Sequence, residues 1–389
     1  MSAGVNAPGA GRCGGRPGRA WALGAGLCAA LAAYACWGRR EPAPGPEARG
    51  AVGVLLWWAP FGGLGRGPRG RLRGAAVAGA GPGSRACAVR GCRLLTERAA
   101  YGEARAVLFH HHELARAPPD WPPPWGAPAR AAGEPGRRGA GEAGARPPGQ
   151  RWVWMNFESP THTAGLRRLA GGLFNWTLSY RADSDVFVPY GYLYPRRHPR
   201  DAPPGPAPPL AQKRGLVAWV VSNWSEDQER VAFFRELSQH LPVDVFGGAP
   251  RGRPLRGALV RTVARYKFYL ALENSRHPDY ITEKLWRNAL LAGAVPVVLG
   301  PERANYERFV PRGAFIHVND FPTAAALAAH LLFLDRHPAA YLRYFSWRRS
   351  FAVHVTSFWD EPWCRVCQVV QRAGDQPKSI PNLAGWFQR

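Results

Sequence analysis

Residues 268–300 read FYLALENSRHPDYITEKLWRNALLAGAVPVVLG, and this stretch decides the fold class. It begins within an apolar run, Lys267–Leu272, that is typical of a buried strand. A helix over Ile281–Leu291 is predicted because apolar residues recur at helical spacing, at Ile281, Leu285, Ala289 and Ala292. Val295–Leu299 predicts the next strand, and this strand–helix–strand order indicates a parallel sheet with a right-handed crossover.

The alternation of strands and helices continues outward from this stretch. The patterns predict strands at Leu216–Val221 and Val243–Phe246, a helix at Glu226–Gln239, and earlier strands at Ala51–Trp58, Ala104–Phe109, Arg151–Phe157 and Asp185–Pro189. Ligands of parallel sheets bind beyond the carboxyl ends of the strands. The loops that start at Ser222 and at Glu273 are therefore candidate ligand loops.

The chain is strongly basic, with a formal net charge of +24 that comes almost wholly from arginine. Such a balance favours polyanionic partners: nucleic acid, an anionic membrane or phosphorylated ligands. The arginines are spread along the chain, and no RNA-binding, zinc-finger or basic-zipper pattern is present. We therefore expect a solvated basic surface and no nucleic-acid partner.

The first fifty residues contain a candidate membrane segment. The uncharged run 21–37 lies between arginines, and its length is at the lower limit for spanning a bilayer. Trp21 and Trp37 would lie at the two interfaces. We expect a cytosolic tail at 1–20, a transmembrane signal-anchor at 21–37 and a stem at 38–50, with the remainder lumenal. A cleaved signal peptide with its site at 33–35 is the alternative.

Cysteines and sequons agree with a lumenal location. The cysteines outside the tail and the span form two close pairs, Cys87 with Cys92 and Cys364 with Cys367. In an oxidising lumen they predict two disulfides with three alternative pairings, and a zinc site is the competing interpretation. Asn175 and Asn223 each begin an N-glycosylation sequon.

Polar residues surround the start of the helix in the opening stretch. Thr282 is expected to cap this helix, whose free amides and positive dipole end favour a phosphate. Lys284 adds a cation, Asn274 and Tyr280 add hydrogen-bonding groups, and Glu283 could accept from sugar hydroxyls. These residues suit a nucleotide sugar, whereas the simpler interpretation is a capped helix with an exposed Glu–Lys pair.

Three stretches resemble the α1,3-fucosyltransferase family: Phe268–Gly300, Trp152–Thr163 (WVWMNFESPTHT) and Phe174–Gly191 (FNWTLSYRADSDVFVPYG). The resemblance is dense from Trp152 to Arg389 and weaker over Val54–Trp58 and Cys92–Leu114. It implies an α/β chain of GT-B type, with two Rossmann-like domains facing a cleft. It also implies GDP-fucose as donor and inversion at the anomeric carbon.

The resemblance also implies roles for individual residues. Glu158 matches the family's proposed catalytic base. The donor-site positions are matched by Ser222, Asn223, Arg230, Asn274, Tyr280, Glu283 and Lys284. The acceptor segment reads His110-His111-His112-Glu113, where the family usually has His-His-Arg-Asp or His-His-Trp-Asp. Acceptor binding is expected from His111, His112 and Glu113. His112 stands where the family has Arg or Trp. The family links this position to the choice between type 2 and type 1 acceptor chains.

No metal site is expected. Asp183-Ser184-Asp185 has the spacing of a DxD metal motif, but the family has these residues without that role. The run 110–112 consists of histidines, and neighbouring residues of a strand point to opposite faces. No cofactor is expected to be obligatory, and stimulation by Mn²⁺ is left open.

The expected domain organisation follows the family. The acceptor-binding domain is placed at 51–205 with a low-complexity insert at 118–150, the GDP-fucose-binding domain at 206–365, and a tail that packs back on the first domain at 366–389. The resemblance suggests that Cys87 and Cys92 are joined to Cys364 and Cys367, with Cys364–Cys367 as the rival pairing. We expect a glycan on Asn175 and none on Asn223, because a glycan there would obstruct the donor.

Taken with the family resemblance, these features lead us to expect a single-pass type II Golgi membrane protein. Its reaction would transfer L-fucose from GDP-fucose in α1,3 linkage to the N-acetylglucosamine of N-acetyllactosamine, on glycoproteins and glycolipids, giving Lewis x-type products. Two alternatives remain open. One is a transferase of the same fold with another donor or linkage, and the other is a lumenal glycan-binding protein or inactive paralogue.

Overall fold

The computed structural model describes residues 51–57, 87, 89–116, 146–169, 171–196, 209–250, 252–255, 257–374 and 376–389. The predicted tail, signal-anchor and stem, 118–145 of the insert and the proline-rich 199–208 lie outside them. The described residues all belong to one compact unit, 44–389. Within these residues, no helix has the length and apolar character needed to cross a membrane.

The described strands are β1 (Val52–Leu56), β2 (Cys92–Leu95), β3 (Ala104–His110), β4 (Arg151–Asn156), β5 (Trp176–Ser179), β6 (Val186–Phe187), β7 (Gly191–Pro195), β8 (Gly215–Val221), β9 (Val243–Gly247), β10 (Tyr266–Leu272), β11 (Val295–Leu299), β12 (Ile316–His317) and β13 (Phe351–Val355). Each strand predicted from the sequence is present, and its ends differ from the prediction by at most a few residues. The remaining strands are short or lie in stretches of mixed polarity, where periodicity gives little signal.

The helices are α1 (His111–Leu114), α2 (Glu229–Leu237), α3 (Leu259–Val263), α4 (Lys284–Leu291), α5 (Arg303–Tyr306), α6 (Ala324–Arg336), α7 (Pro338–Leu342), α8 (Glu361–Arg372) and α9 (Leu383–Phe387). Short 3₁₀ helices span Arg98–Glu103, Pro160–His162, Leu166–Arg168, Leu210–Gln212, Arg312–Ala314, Val318–Asp320 and Arg343–Arg349.

Strands of the chain's first half form one parallel sheet in the order β2-β1-β3-β4-β5-β6. Alternate residues of β4 enter different cores: Trp152 and Trp154 pack on one face, and Val153 and Met155 on the other. Both faces are apolar because helices and connections cover both sides of a parallel sheet. This sheet lies entirely within the predicted domain 51–205.

The second sheet is also parallel, in the order β12-β11-β10-β8-β9. Its middle strand β10 is almost wholly buried, as the apolar sequence Phe268–Leu272 predicts. The strands belong to the predicted domain 206–365. Two parallel sheets with helices on their faces agree with the predicted α/β class.

The C-terminal segments cover both faces of the first sheet. On one face Val366 and Cys367 of α8 join the core of β1, β3 and β4, and on the other face Leu383 and Phe387 of α9 are buried. The disulfides are Cys87–Cys364 and Cys92–Cys367. The structure therefore has the pairing between N- and C-terminal cysteines that the resemblance suggested, and not the rival Cys364–Cys367 bridge.

The structure corrects the predicted helix of the opening stretch. This helix begins at Lys284, not Ile281, and is wound as a π-helix. Thr282 does not cap it, because Glu283 is the N-cap residue and makes no side-chain capping hydrogen bond. The hydroxyl and amide of Thr282 instead donate to Glu273. The Thr282 hydroxyl donates to the buried carboxylate of Glu273 and accepts from the Lys284 ammonium, so it does not accept from the free amides of the helix end.

Candidate active site

The site lies where the carboxyl ends of β4 and β10 approach each other. Ser159 follows β4, and its hydroxyl accepts a 2.7 Å hydrogen bond from Ser275, which follows β10. Thr161 and His277 form a second 2.7 Å hydrogen bond between the same two loops. The candidate ligand loop that starts at Glu273 therefore faces a loop of the first sheet.

Glu158 occupies the rim of the first sheet. The side-chain amide of Asn156 holds its backbone, donating to the Glu158 carbonyl at 3.3 Å and accepting from its amide at 3.2 Å. The Glu158 side chain is exposed, and its Oε2 lies 3.4 Å from the hydroxyl of Tyr280. Burial raises the pKa of Tyr280 far above its ordinary value, so this hydroxyl stays protonated and donates. The predicted base and the predicted donor motif thus share one cleft.

A buried carboxylate, Glu273, organises the donor motif. Its side chain is 1% exposed and pairs with the Lys284 ammonium at 3.0 Å. It accepts from the Thr282 amide at 2.8 Å and from the Thr282 hydroxyl at 2.8 Å. The Lys284 ammonium also donates to the Thr282 hydroxyl at 2.8 Å. Glu273 therefore ties the end of β10 to the start of α4.

The charges in this cluster support one another. Burial alone would lower the pKa of Lys284, but the carboxylates of Glu273 and Glu283 outweigh it and hold that pKa above its ordinary value. Burial opposes the charge of Glu283 as well, yet the nearby Lys284 ammonium keeps the pKa of this carboxyl below its ordinary value. Lys284 therefore remains a cation at the cleft.

Glycine at position 300 makes room for this carboxylate. A Cβ added to Gly300 would lie 3.1 Å from the Cγ of Glu273 and 2.6 Å from the hydroxyl of Tyr306. Gly300 directly follows β11, the strand beside β10. The close approach of this backbone helps to enclose Glu273 and to exclude water from its carboxylate.

Arg230 holds the other donor loop. This arginine is buried in α2, and its guanidinium donates to the carbonyl of Asn223 at 2.6 Å and to Gln228 at 2.8 Å. Burial lowers the pKa of Arg230, although an arginine still remains charged near neutral pH. Ser222 and Asn223 are exposed. Arg230 therefore supplies positive charge behind an open loop.

Asp279 joins the two halves of the site and was missed from the sequence. It has a φ of 63°, which a non-glycine residue adopts only when its surroundings hold it there. Its carboxylate accepts from the Ala182 amide at 2.9 Å and from the side chain of Asn305 at 2.7 Å. A contact between residues so distant in sequence leaves no local sequence signal.

The remaining donor position is Asn274, whose side-chain oxygen accepts from Ser275 at 2.9 Å. Glu273 precedes Asn274 at the same strand end, and the sequence drew attention to both residues without giving Glu273 a role. The signal was a carboxylate directly after an apolar strand. The tertiary structure shows that Glu273 is buried and paired with Lys284, which the sequence does not indicate.

The acceptor segment has its histidines in different environments. His111 is buried: its Nδ1 accepts from Trp154 at 3.1 Å, and its Nε2 donates to the Ala164 carbonyl at 2.7 Å. Burial lowers the pKa of His111, so the ring is neutral. A sugar hydroxyl would have to displace one of these bonds to reach it. His112 is exposed and Glu113 is half-buried, so they remain the more accessible predicted acceptor contacts.

Both carboxylates of the DxD-like sequence form hydrogen bonds or ion pairs with other residues of the protein. Asp183 accepts two 2.8 Å hydrogen bonds from Arg181. Asp185 accepts from the amide and hydroxyl of Thr177 and pairs with Lys378 of the C-terminal tail. Both carboxylates therefore fasten loops and the C-terminal tail together.

The two sequons also differ. The Asn175 side chain accepts from the Trp152 amide and donates to the Lys378 carbonyl, both at 2.7 Å. The side chain of Asn223 is exposed. Glycosylation of Asn175, with Asn223 bare, stays a prediction.

Comparisons with known proteins show which family the chain belongs to. Residues 49–191 match the family model "Fucosyltransferase, N-terminal", and residues 210–386 match "Glycosyltransferase family 10 (fucosyltransferase) C-term". The chain is 66% identical to alpha-(1,3)-fucosyltransferase 4 of Homo sapiens over 385 residues, 94% of this chain and 70% of that protein. It is 61% identical to the Bos taurus protein of the same name, with 93% of each covered.

A second kind of relative is more distant. Alpha-(1,3)-fucosyltransferase 7 of Homo sapiens is 48% identical over 300 residues, 76% of this chain and 78% of the relative. A crystal structure of an alpha1,3-fucosyltransferase with GDP covers 87% of this chain and 96% of its own, at 13% identity and a TM-score of 0.47, which supports no further comparison. The family models and the identities nevertheless agree: the chain belongs to glycosyltransferase family 10, the fucosyltransferases.

Proposed function

We propose that the chain transfers L-fucose from GDP-fucose, with inversion, in α1,3 linkage to the N-acetylglucosamine of N-acetyllactosamine. Membership of the fucosyltransferase family and 66% identity to a named alpha-(1,3)-fucosyltransferase support the reaction. The products would be Lewis x-type structures on glycoproteins and glycolipids.

One observation carries the mechanism. The hydroxyl of Tyr280, within the donor motif, lies 3.4 Å from the carboxylate of Glu158, which belongs to the other sheet. A donor bound along the motif would therefore present its sugar near this carboxylate. An acceptor hydroxyl placed between them could lose its proton to Glu158.

The chemistry then needs a single displacement. The acceptor oxygen forms a bond to the anomeric carbon of fucose while the bond from that carbon to GDP breaks on the opposite face. The acceptor's proton passes to Glu158, and GDP leaves with the bonding electrons. One carboxylate acting as base suffices for inversion. No metal step is required by this scheme, and no cofactor is proposed as obligatory.

The donor loops would stabilise the departing diphosphate. Lys284 is kept charged by its carboxylate neighbours, and Arg230 lies behind the loop that contains Ser222 and Asn223. Cations placed where charge develops lower the barrier most in a water-poor cleft. Asn274, Tyr280 and Glu283 would complete the contacts, with Glu283 accepting from sugar hydroxyls.

The first test concerns Glu158. We would incubate the purified full-length chain with GDP-fucose and N-acetyllactosamine and measure fucosylated product by mass spectrometry. Glu158→Gln preserves the shape of the side chain but cannot accept the proton. A loss of the general base is expected to lower kcat by about 10²–10⁴-fold, with little change in the binding of GDP.

Exposed Glu226→Gln, on the donor half, is the matched control and should retain activity. Equal turnover by Glu158→Gln and the wild type would exclude Glu158 as the base. Absence of product from folded wild-type chain, on sialylated and type 1 acceptors as well, would favour the glycan-binding alternative. Product only with another nucleotide sugar would instead indicate a transferase with a different donor.

We also propose that the chain is a single-pass type II protein of the Golgi membrane, anchored by 21–37 with its catalytic part in the lumen. The two disulfides support an oxidising compartment. Protease protection in sealed microsomes tests this arrangement. A tag at residue 1 should be digested while the catalytic part is protected, and protection of both ends would contradict it.

A further inference from the structure

A cluster of metal-ligating side chains lies where β3 ends and α1 begins. His110 is the last residue of the strand, and the helix starts at the next residue. Because the backbone turns from extended to helical, side chains no longer alternate between faces. One ligand atom from each of His110, His112 and Glu113 lies within 4.8 Å of the others.

The residue between the two histidines fixes this arrangement. His111 points into the core and is 4% exposed, with its ring bonded to Trp154 at 3.1 Å and to the carbonyl of Ala164 at 2.7 Å. These bonds hold the backbone of the turn in place. The backbone that carries the neighbouring side chains is therefore held in place before any ligand arrives, which lowers the entropic cost of binding.

The ligand atoms indicate which cation would bind. Two imidazole nitrogens and one carboxylate oxygen form a borderline donor set, whereas Mg²⁺ and Ca²⁺ prefer oxygen alone. Zinc accepts three such ligands with a water at the fourth position, at about 2.0–2.2 Å. Ligand atoms around such an ion lie roughly 3.4 Å apart, so modest side-chain rotations would close the observed cluster.

We propose that His110, His112 and Glu113 form a binding site for a divalent transition-metal ion, for which Zn²⁺ is the best match. The site is separate from the donor cluster around Glu273. It includes two predicted acceptor contacts, so the metal and the acceptor would compete for the same side chains.

Arg116 is one competitor for this site among the residues that the structure describes. Its guanidinium lies 3.6 Å from the Glu113 carboxylate and 3.4 Å from Nε2 of His112. The Arg116 side chain is 61% exposed, and such surface pairs contribute little stability. The guanidinium can therefore move into solvent when a cation arrives, and removing it should strengthen metal binding.

The test is a Zn²⁺ titration of the full-length chain, stripped with chelator and read by competition with a chromophoric chelator. His112→Ala and Glu113→Gln should each weaken binding by at least about tenfold, since even outer partners of metal ligands contribute that much. Arg116→Gln should tighten binding. Exposed His240→Ala, on the other half of the chain, is the matched control and should bind as the wild type does.

Melting temperatures of the metal-free variants would show that each is folded, and Co²⁺ absorption would report the ligand geometry. Equal Zn²⁺ affinity and stoichiometry in the wild type, His112→Ala and Glu113→Gln would overturn the proposal, because any bound metal would then lie elsewhere. The readout is metal binding, so its outcome does not depend on the proposed transferase activity.

Discussion

Two glutamates illustrate how the surroundings decide what a side chain does. Glu158 is exposed at the cleft, where it can reach an acceptor and exchange a proton. Glu273 is 1% exposed and bonded to Thr282 and Lys284, so it cannot meet a substrate. Its role is to position and charge Lys284, which is the residue predicted to contact the donor phosphates.

Replacing Glu273 by glutamine tests this positioning role. This change removes the nearer carboxylate partner of the buried Lys284 ammonium and leaves Glu283 at 3.5 Å. Breaking a buried pair costs up to about 3–5 kcal/mol of unfolding free energy. We also expect weaker binding of GDP, because Lys284 loses the contact that fixes its position. Urea unfolding and GDP titration measure the two effects.

Exposed Glu229→Gln, which removes a surface partner of Arg276, is the control and should change stability little. Combining Glu273→Gln with Lys284→Met should recover part of the lost stability but not GDP binding. Unchanged stability and GDP affinity in Glu273→Gln would contradict the positioning role.

At the scale of elements, the junction of β13 and α8 connects the second half of the chain to the helix that carries two disulfide cysteines. The ring of His354, in β13, lies 2.6 Å from the carboxylate of Glu361 at the start of α8. The Ser357 amide donates to the same carboxylate at 2.8 Å. A negative charge in the first turn of a helix is also favourable.

This junction predicts a pH dependence. Burial alone would raise the pKa of Glu361, but hydrogen bonds from His354 and Ser357 outweigh it and hold the pKa below the ordinary value of 4.5. Folding therefore favours the ionised form. Its stabilisation is fully present above the unfolded pKa and is lost as the pH falls through the folded pKa.

Melting temperatures of the wild type and Glu361→Gln between pH 7 and pH 3 would measure this effect. The difference between the two proteins should be largest above about pH 5 and should narrow on acidification. A difference that stays constant or grows at acid pH would show that the Glu361 charge does not stabilise the junction.

At the scale of the whole molecule, the disulfides join residues that are 277 and 275 positions apart. They fasten α8 to the edge of the first sheet, next to β2. Long loops lose the most unfolded-state entropy when they are closed. Cys367 is moreover fully buried in the core of that sheet, beside Val366.

We therefore predict that replacing both cysteines of either pair by alanine lowers the unfolding free energy by about 2–5 kcal/mol. Cys92→Ala with Cys367→Ala should cost more than Cys87→Ala with Cys364→Ala, because it also removes a buried sulfur. Urea unfolding measures both. The reduced wild type should be less stable than either double variant, and no change on reduction would be the contrary result.

The sequence by itself determined the parallel strands, including Val295–Leu299, and the cleft loops after β8 and β10. Those features depend on local apolar patterning, because a central strand of a parallel sheet buries both faces and a covering helix buries one. Assigning Glu158 as the base came from the family resemblance, since the sequence alone does not distinguish it from a carboxylate in a turn.

Other features were decided only by the tertiary structure. The π-helical start at Lys284, the engagement of Thr282 by Glu273 and the positive φ of Asp279 depend on partners from other elements. The convergence of His110 and His112 requires the strand to become a helix between them, which the histidine run does not encode. Local sequence thus determined where elements form, whereas long-range contacts decided which side chains meet, because the energy of burying a charge depends on all its neighbours.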